Sequence, residues 1–353
     1  MTTRLLVTGG AGFIGSHYVR TLLGPDGPGD VTVTVLDRLT YAGNLANLAS
    51  VRDRPEFRFV HGDVCDPELV STLVREHDEI VHLAAESHVD RSIEGGAEFV
   101  RTNVLGTQNL VEAACDAGLR TFVQVSTDEV YGTVDEGSWT EESPLAPRSP
   151  YSASKAAADL IALAYHRTHG LDVRVTRCTN NYGPYHYPEK LIPLFVTNLL
   201  EGRPVPLYGD GMHVREWVHV DDHVRGVELV RRHGRAGEVY HIGGTAELPN
   251  RELTRMLLEA CGVSGDHHVV SVPDRKGHDR RYSLDWSKIR DELGYTPRVP
   301  LRRGLAETVR WYRDHREWWE PLKQSTAVPE GGPYGKPPVH LRVGHGGPSG
   351  QDR

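Results

Sequence analysis

The sequence predicts an α/β fold: a Rossmann-type doubly wound parallel sheet with a smaller mixed α/β C-terminal substrate domain. Short β-rich runs alternate with amphipathic stretches through the first half of the chain, and a glycine-rich turn follows the first run. The second half is less regular. Such alternation is typical of βαβ units, whose strands pair in parallel and whose helices cover both faces of the sheet.

Six runs are predicted strands of a first domain over residues 1–180: RLLVT, VTVTVLD, FRFVHGD, EIVHLAA, TFVQVST and LDVRVTRC. Strands such as VPLYG and EVYHIGG then mix with helices such as NRELTRMLLEACG and LRRGLAETVRWYRDH. This mixture predicts a second domain over residues 181–325, with some later segments returning to the first. Residues 326–353 are rich in Gly and Pro, which predicts a flexible tail.

Composition narrows the function classes. A net charge of −8 disfavours a surface that binds nucleic acid or a membrane. No apolar run approaches the roughly 18 residues of a membrane span, so the cytoplasm is the expected location. The 4 cysteines are widely separated and the 19 histidines scattered, which predicts free thiols and no metal site.

The stretch TGGAGFIGSH follows the first predicted strand and precedes a helical pattern. Gly10, Gly12 and Gly15 satisfy G-x-G-x-x-G, and Gly9 lies three residues before Gly12. Such glycines let a pyrophosphate rest on backbone amides at a helix start, although the motif alone also fits a simple glycine turn. Asp37 ends the next strand at the distance expected of the carboxylate that binds the adenine ribose.

These features predict NAD as the cofactor, since Asp37 would repel the additional phosphate of NADP. Arg38, next to it, weakens this prediction because a guanidinium could bind that phosphate. Asp63, after the third strand, could hold the adenine amine. Leu83, Ala84 and Ala85 would line the path to the nicotinamide.

Two motifs supply the chemical centre. VSTDEVYG ends a predicted buried strand with Thr127, Asp128 and Glu129, and YSASK places Tyr151 and Lys155 on one face of a helix. Adjacent carboxylates are costly to bury, so a structural turn is the weaker interpretation. We expect the lysine ammonium, together with a positive nicotinamide, to lower the pKa of Tyr151.

With AAESHVDRSI, NNYGPYHYPEKLIPL, YGDGMHVREWVHVDDH, YHIGG and DRKGHDRRYSLD, these motifs cover roughly residues 5–320. The chain resembles the extended short-chain dehydrogenase/reductase family and, within it, the 4,6-dehydratases of dTDP-glucose. The resemblance implies oxidation at C4 with Tyr151 as base and Thr127 bonded to the same oxygen. It further implies that Glu129 removes the C5 proton, that Asp128 protonates the departing C6 hydroxyl, and that the hydride returns to C6.

The resemblance implies further contacts. Additional cofactor residues are Phe13, Ile14, Leu39, Thr40, Val64, Ser87, Thr102 and Asn181. Residues expected to bind a nucleoside diphosphate sugar, dTDP-glucose first, are Ser87, Thr127, Asn180, Glu189, Lys190, Leu191, Pro206, Tyr208, Arg215, Asn250, Arg275 and His278. Lys276 and Arg281 are further candidate cations. The chain departs from the family pattern at His186, Tyr187 and His241, which leaves the base and sugar less determined than the reaction.

The family likeness also implies a homodimer joined through helices around residues 94–118 and 151–168. Two other functions fit parts of the pattern. A nucleotide-sugar 4-epimerase needs Tyr151, Lys155 and NAD but no acid and base at 128 and 129. A redox-silent NAD-binding sensor needs none of these side chains. A dehydratase of another nucleoside diphosphate hexose is a further alternative.

Overall fold

The computed structural model describes residues 2–244 and 246–325. Its strands are β1 (Thr3–Thr8), β2 (Val31–Asp37), β3 (Phe57–His61), β4 (Glu79–His82), β5 (Thr121–Thr127), β6 (Val173–Cys178), β7 (Asn180–Tyr182), β8 (Val205–Tyr208), β9 (Val214–His219), β10 (Val239–Ile242), β11 (Ala246–Pro249) and β12 (Val269–Val272). The six runs predicted as strands of the first domain correspond to β1 to β6.

The α-helices are α1 (Phe13–Leu23), α2 (Pro67–Arg75), α3 (Val89–Glu94), α4 (Ala97–Phe99), α5 (Gly106–Ala117), α6 (Pro150–His169), α7 (Leu191–Leu200), α8 (Val220–His233), α9 (Asn250–Cys261), α10 (Ser287–Leu293), α11 (Leu301–Asp314) and α12 (Arg316–Ser325). Short 3-10 helices span Leu45–Leu48, Asp128–Tyr131 and Asp266–His268, and a π-helical segment spans Val100–Leu105. None of the described helices combines the length and apolar character needed to cross a bilayer.

Within the described residues, seven strands form one sheet in the order β10-β6-β5-β4-β1-β2-β3. Every neighbouring pair is parallel. The predicted Rossmann-type sheet is therefore confirmed. β10 comes from the EVYHIGG run and pairs with β6, so a late segment of the chain joins the sheet.

Both faces of the sheet are buried, which explains why its strands are apolar almost throughout. Along β1, Leu5 and Val7 belong to one hydrophobic cluster, and Leu6, which points to the opposite face, belongs to another. The first cluster includes residues of α1 and α8, and the second includes residues of α2, α5 and α6. Alternation of side chains along a strand thus packs helices on both sides.

The remaining strands form two smaller sheets, β11-β9-β7 and β12-β8. They pack with α7, α9, α11 and α12 around an apolar cluster that includes Phe195, Trp217, Leu257 and Trp319. The predicted domain boundary near residue 180 stays a prediction, and the predicted flexible tail at 326–353 lies outside the described residues.

Parallel pairing determines where a site can form. The carboxyl ends of parallel strands meet at one edge of the sheet, so the segments that follow β1, β2, β4, β5 and β6 converge there. These segments carry the glycine turn, Asp37, Leu83, Thr127 and Asn180. Residues far apart in sequence therefore reach a common edge.

Candidate active site

A cavity of about 430 Å³ lies at this edge of the sheet. It is lined by all predicted catalytic residues, and by all predicted cofactor and substrate residues except Leu39 and the two further candidate cations. The residues brought together are Gly9, Gly12, Phe13, Ile14, Gly15, Asp37, Arg38, Thr40, Asp63, Val64, Leu83, Ala84, Ala85, Ser87, Thr102, Thr127, Asp128, Glu129, Tyr151, Lys155, Asn180, Asn181, Glu189, Lys190, Leu191, Pro206, Tyr208, Arg215, Asn250, Arg275 and His278.

Three predicted contacts are not among the residues that line this cavity. The side chain of Leu39 packs against the hydrophobic cluster beside β2 instead. Lys276 is exposed. Arg281 forms an ion pair with Glu247 and donates to the carbonyl of Gly137 (2.7 Å), so its charge is committed elsewhere.

The glycine turn leaves no room for side chains. A Cβ at Gly9, whose φ is 71°, would lie 2.5 Å from the backbone nitrogen of Ala84. A Cβ at Gly15 would lie 2.2 Å from the carbonyl oxygen of Gly9. Helix α1 begins after Gly12 without a side-chain cap, so its first amide groups remain available to an anion at the cavity.

Asp37 is buried at the end of β2, where its carboxylate accepts hydrogen bonds from the backbone amides of Ala11 (2.9 Å) and Leu39 (2.8 Å). Burial raises its pKa, against the effect of these hydrogen bonds. Arg38 donates to Glu98 (2.8 Å). Its guanidinium is thus already paired with a carboxylate, which reduces its capacity to bind the additional phosphate of NADP.

The strand β5 ends at Thr127, and a 3-10 helix then carries Asp128 and Glu129. The Thr127 hydroxyl donates to Asp128 Oδ1 (3.2 Å) and accepts the Glu129 amide (3.3 Å). Asp128 Oδ2 is buried and has no hydrogen-bond partner in the described part of the chain. Burial raises the pKa of Asp128 well above its usual range, and the charges of Glu129 and Glu216 raise it further.

Glu129 lies in a different electrostatic environment. Burial raises its pKa too, but the cations of Lys190, Arg215 and Arg275 oppose that effect. Two neighbouring carboxyls in these surroundings favour opposite protonation states, with the proton on Asp128. The pair can therefore supply an acid and a base at the same pH.

Helix α6 begins at Pro150, with Ser149 and Ser152 forming a capping box. Lys155 Nζ donates to the carbonyl oxygen of Val125 on β5 (2.8 Å), and burial lowers its pKa. Tyr151 faces the same cavity. The hydrogen bond from Lys155 holds the face of α6 that carries Tyr151 against the C-terminal part of β5.

The predicted lowering of the Tyr151 pKa does not arise from the protein's own groups. Burial raises this pKa well above its ordinary value, and the charge of Glu129 raises it further. The Thr127 side chain acts in the opposite direction. Sequence spacing located Lys155 correctly but could not reveal that its ammonium binds a main-chain carbonyl or that a carboxylate approaches the phenol.

Several cations line the cavity. The guanidinium of Arg215 donates to the carbonyl of Asp279 (2.8 Å) and lies 4.1 Å from the ring centre of Tyr282. Arg275 forms an ion pair with Asp90 (2.6 Å), and Lys190 Nζ donates to the carbonyl of Ser87 (2.6 Å). These partners hold the cations in place for a diphosphate.

Buried acceptors line the cavity as well. The side-chain oxygens of Asn180, Asn181 and Asn250 accept no hydrogen bond within the described residues. Leaving such atoms without a partner costs about 1–3 kcal/mol each. A ligand rich in hydroxyl and amide donors would remove that cost, which fits a nucleotide and a sugar.

Sequence reasoning missed several residues of the cavity, including Asp279 and Tyr282. Both belong to DRKGHDRRYSLD, in which only basic residues are predicted to bind the substrate. Their three-residue spacing was the available signal in the sequence. His213, Asp274 and His278 also place ligand atoms within 4.8 Å of one another. The positive charges of Arg215, Arg275 and Arg280 lower the pKa values of these histidines. The predicted absence of a metal stays a prediction.

Residues 6–308 match the profile of a family described as GDP-mannose 4,6 dehydratase. The chain belongs to this family. The match begins at Leu6, within β1, and ends within α11, so it includes the rest of the large sheet and both smaller sheets. The predicted resemblance to sugar-nucleotide 4,6-dehydratases is confirmed by the relatives as well.

A dTDP-glucose 4,6-dehydratase from Streptomyces griseus is 63% identical over 329 residues, which are 93% of this chain and 100% of that protein. The crystal structure of a dTDP-glucose 4,6-dehydratase from Streptomyces venezuelae, with NAD and dTDP bound, is 66% identical with a TM-score of 0.88. It covers 90% of this chain and 99% of its own. A UDP-glucose 4-epimerase from Thermotoga maritima is 32% identical with a TM-score of 0.81, over 88% and 99% of the two chains.

The electrostatics of Asp128 predict a pH-dependent stability. Its raised pKa means that the folded protein binds this proton more tightly than the unfolded chain, so stability is lost as the pH rises above the unfolded value of about 3.9. Asp128→Asn should therefore raise the melting temperature at neutral pH, and the gain should shrink towards about pH 4. Thermal unfolding at both pH values measures this.

Asp53, whose side chain is 85% exposed, provides the matched control. Asp53→Asn should leave the melting temperature nearly unchanged at both pH values. A stabilisation by Asp128→Asn that is equally large at neutral and acid pH would contradict the assignment of a raised pKa.

Proposed function

We propose that this protein converts dTDP-glucose to dTDP-4-keto-6-deoxyglucose and water, moving a hydride internally from C4 to C6 through bound NAD. The observation that carries the proposal is the buried Asp128 beside the partly buried Glu129, a pair that shares one cavity with Tyr151 and Lys155. A hexose 4,6-dehydration needs an acid and a base beside a redox centre. The relatives named as dTDP-glucose 4,6-dehydratases support the same reaction and nucleotide.

The cofactor would lie along the glycine turn and the ends of β2 to β5. Backbone amides at the start of α1 would bind its pyrophosphate, Asp37 its adenosine ribose and Asp63 the adenine amine. Leu83, Ala84 and Ala85 would line the path of the nicotinamide. When bound, NAD supplies the acceptor and later the donor of the hydride, and its positive nicotinamide favours the ionised form of Tyr151.

Oxidation at C4 has to come first. A C5 hydrogen of an unoxidised hexose is far too weakly acidic to be removed, whereas next to a C4 ketone it becomes the α-hydrogen of a carbonyl. Tyr151 takes the proton of the C4 hydroxyl while Thr127 hydrogen-bonds the same oxygen. Lys155 holds the end of β5 and keeps a positive charge near the reacting groups.

Elimination then uses the acid and base pair. Glu129, whose ionised form is favoured by nearby cations, takes the C5 proton. Asp128, whose protonated form is favoured by burial and by the charges of the neighbouring carboxylates, donates its proton to the C6 hydroxyl as it leaves. Return of the hydride to C6 and of a proton to C5 completes a 4-keto-6-deoxy sugar, so the redox balance closes within one turnover.

The nucleotide would be held by the cations that line the cavity. Arg215 and Arg275 would neutralise the diphosphate, and Pro206 with Tyr208 would offer an edge for the base. His278, whose pKa burial lowers to about 4, would border the nucleotide as a neutral ring. Polar groups for the sugar and the adjoining phosphates are Ser87, Thr127, Asn180, Glu189, Lys190 and Asn250, and Leu191 would provide an apolar contact. All of them border the cavity.

A 4-epimerase shares the fold and the Tyr151 and Lys155 requirement, as the structural likeness to UDP-glucose 4-epimerase illustrates. Epimerisation returns the hydride to C4 and removes no C5 proton. Epimerisation therefore gives no role to two adjacent carboxyls at the cavity. Oδ2 of the buried Asp128 lacks a hydrogen-bond partner within the described residues. Asp128 and Glu129 therefore favour dehydration.

The proposed assembly is a homodimer joined through α5 and α6. These helices pack against each other. Leu160 on α6 is 56% exposed, and Val100 and Leu105, in the π-helical segment before α5, are 57% and 47% exposed. Large apolar side chains grouped on one helical surface typically mark an interface. The proposed location is the cytoplasm, where the free thiols of Cys65, Cys115, Cys178 and Cys261 would stay reduced.

Isotope transfer tests the reaction. With dTDP-glucose deuterated at C4, the deuterium should appear in the new methyl group of the product, whose mass is lower by one water. Mass spectrometry and NMR of the product measure both. An unchanged mass with altered C4 stereochemistry would support the epimerase, and no turnover of any nucleotide sugar would support the sensor.

The role of Glu129 predicts a separation of the two half-reactions. Glu129→Gln should still oxidise bound dTDP-glucose but lose about 100-fold or more in water release, because the base for C5 is absent. Rapid-mixing absorbance of the reduced nicotinamide, followed beside product formation, measures the two steps. Glu98→Gln, at the partly exposed partner of Arg38, is the control. Full dehydration by Glu129→Gln would refute the assigned base.

The proposed dimer predicts that a charge introduced at the interface between its subunits separates them. Leu160→Glu would place an ionised group in the apolar contact, so the variant should elute as a monomer with its helical content unchanged. Light scattering on a sizing column measures the mass, with Leu45→Glu, at a 46% exposed leucine outside α5 and α6, as the control. A monomeric wild type, or a Leu160→Glu variant that stays dimeric, would overturn the interface.

A further inference from the structure

Hydrogen bonds of their own side chains do little to hold Asp128 and Glu129 in position. Among the described residues, the Asp128 carboxyl accepts a hydrogen bond only from Thr127. No hydrogen bond is made there by the carboxylate of Glu129, which interacts with surrounding groups through charge. The positions of both carboxyls therefore depend on what holds the backbone from Ser126 to Tyr131.

Buried polar side chains hold that backbone at both ends. On the strand side, the Ser126 hydroxyl donates to Asp159 Oδ2 (3.0 Å), and Arg177 Nε donates to the same oxygen (2.9 Å). On the other side, an Arg177 amino group donates to the hydroxyl of Tyr131 (2.5 Å). The Tyr131 hydroxyl also lies 2.7 Å from His241 Nε2. We call Asp159, Arg177, Tyr131 and His241 the anchor network.

The direction of each hydrogen bond in the anchor network follows from its chemistry. His241 Nδ1 lies 2.8 Å from the carbonyl oxygen of Asp285, which can only accept, so Nδ1 carries a proton. Burial lowers the pKa of His241 to about 3, so the ring is neutral and Nε2 is an acceptor. Tyr131 therefore donates to Nε2 and accepts from Arg177, which leaves its hydroxyl with a donor and an acceptor.

The two ends of the network have different neighbours. Asp159 lies one helical turn after Lys155 on α6, and its charge opposes the lowering of the Lys155 pKa by burial. Tyr131 belongs to the 3-10 helix that carries Asp128 and Glu129, and its ring stacks on Trp139 with 5.8 Å between centres. The Tyr131 end can thus be altered without touching the redox pair.

From this arrangement we propose that the anchor network positions Asp128 and Glu129 for the elimination half of the reaction, with Tyr131 and His241 as positioning residues. The inference rests on the proposed function. Neither residue touches substrate in this role. The hydroxyl of Tyr131 ties the end of the 3-10 helix to β6 through Arg177 and to β10 through His241, so that the carboxyls keep their distances to C5 and C6.

Tyr131→Phe tests the proposal, since the ring keeps its stacking on Trp139 and loses only the bridging hydroxyl. Water release should slow about tenfold, while hydride removal from C4 changes by less than about twofold and KM stays the same. The reduced nicotinamide should then accumulate during turnover. Placed in D₂O with the 4-keto-6-deoxy product, the variant should also exchange the C5 hydrogen about tenfold more slowly, a readout that needs no hydride transfer.

Tyr240→Phe is the matched control. Tyr240 is buried on β10 beside His241, and its hydroxyl likewise bridges two groups, the amide of Arg235 (3.0 Å) and Glu292 (3.0 Å), but outside the cavity. It should leave both half-reactions unchanged. Equal slowing of oxidation and elimination in Tyr131→Phe, or wild-type C5 exchange, would overturn the proposal.

Substitutions of His241 provide a second test. His241→Gln can place an acceptor near the position of Nε2 and should retain most of the elimination rate, whereas His241→Phe should slow it as Tyr131→Phe does. No rescue by glutamine relative to phenylalanine would contradict the positioning role. A wild-type protein that removes no water from dTDP-glucose would instead refute the proposed function, so the two failures are distinguishable.

Discussion

The placement of two adjacent carboxyls just after β5, the buried Asp128 and the partly buried Glu129, is the constraint on which the rest of the site depends. Removing Asp128 and Glu129 from water opposes their ionisation, and their mutual repulsion separates their protonation states. The charges of Lys190, Arg215 and Arg275 favour the ionised form of Glu129, whereas among the described residues only Arg215 is found to act in this way on Asp128. An arrangement that costs stability thereby provides an acid and a base at the same pH, which the proposed elimination requires.

The parallel sheet is what makes this arrangement possible. All the neighbouring strands point the same way, so their carboxyl ends collect the glycine turn, Asp37 and Thr127 along one edge. The smaller sheets contribute Arg215 from β9 and Tyr208 from β8, which place a positive charge and an aromatic ring at the cavity. The predicted acid and base thus follow a strand of the large sheet, whereas these two predicted substrate contacts come from the smaller sheets.

Much of the fold and site could be predicted because their signals are local. Strand alternation, the glycine spacing and the four-residue separation of Tyr151 and Lys155 are written in short segments, and each corresponds to an element of the structure. Leu39 does not line the cavity, because a position in a motif does not reveal which way a side chain packs, and its contact with the cofactor stays a prediction. Burial and the charge of Glu129 raise the pKa of Tyr151 through space, so its lowering in the presence of a positive nicotinamide stays a prediction.

The sequence alone determined the order of the strands along the chain, the glycine turn, and the pairing of Thr-Asp-Glu with Tyr-x-x-x-Lys, because these depend on chemistry and on spacing within a single element. Only the tertiary structure decided that Arg177 bridges Asp159 and Tyr131, that His241 closes the chain of hydrogen bonds, and that Arg38 is paired with Glu98. These contacts join residues tens of positions apart. Their partners and protonation states are set by burial, which no local pattern of residues records.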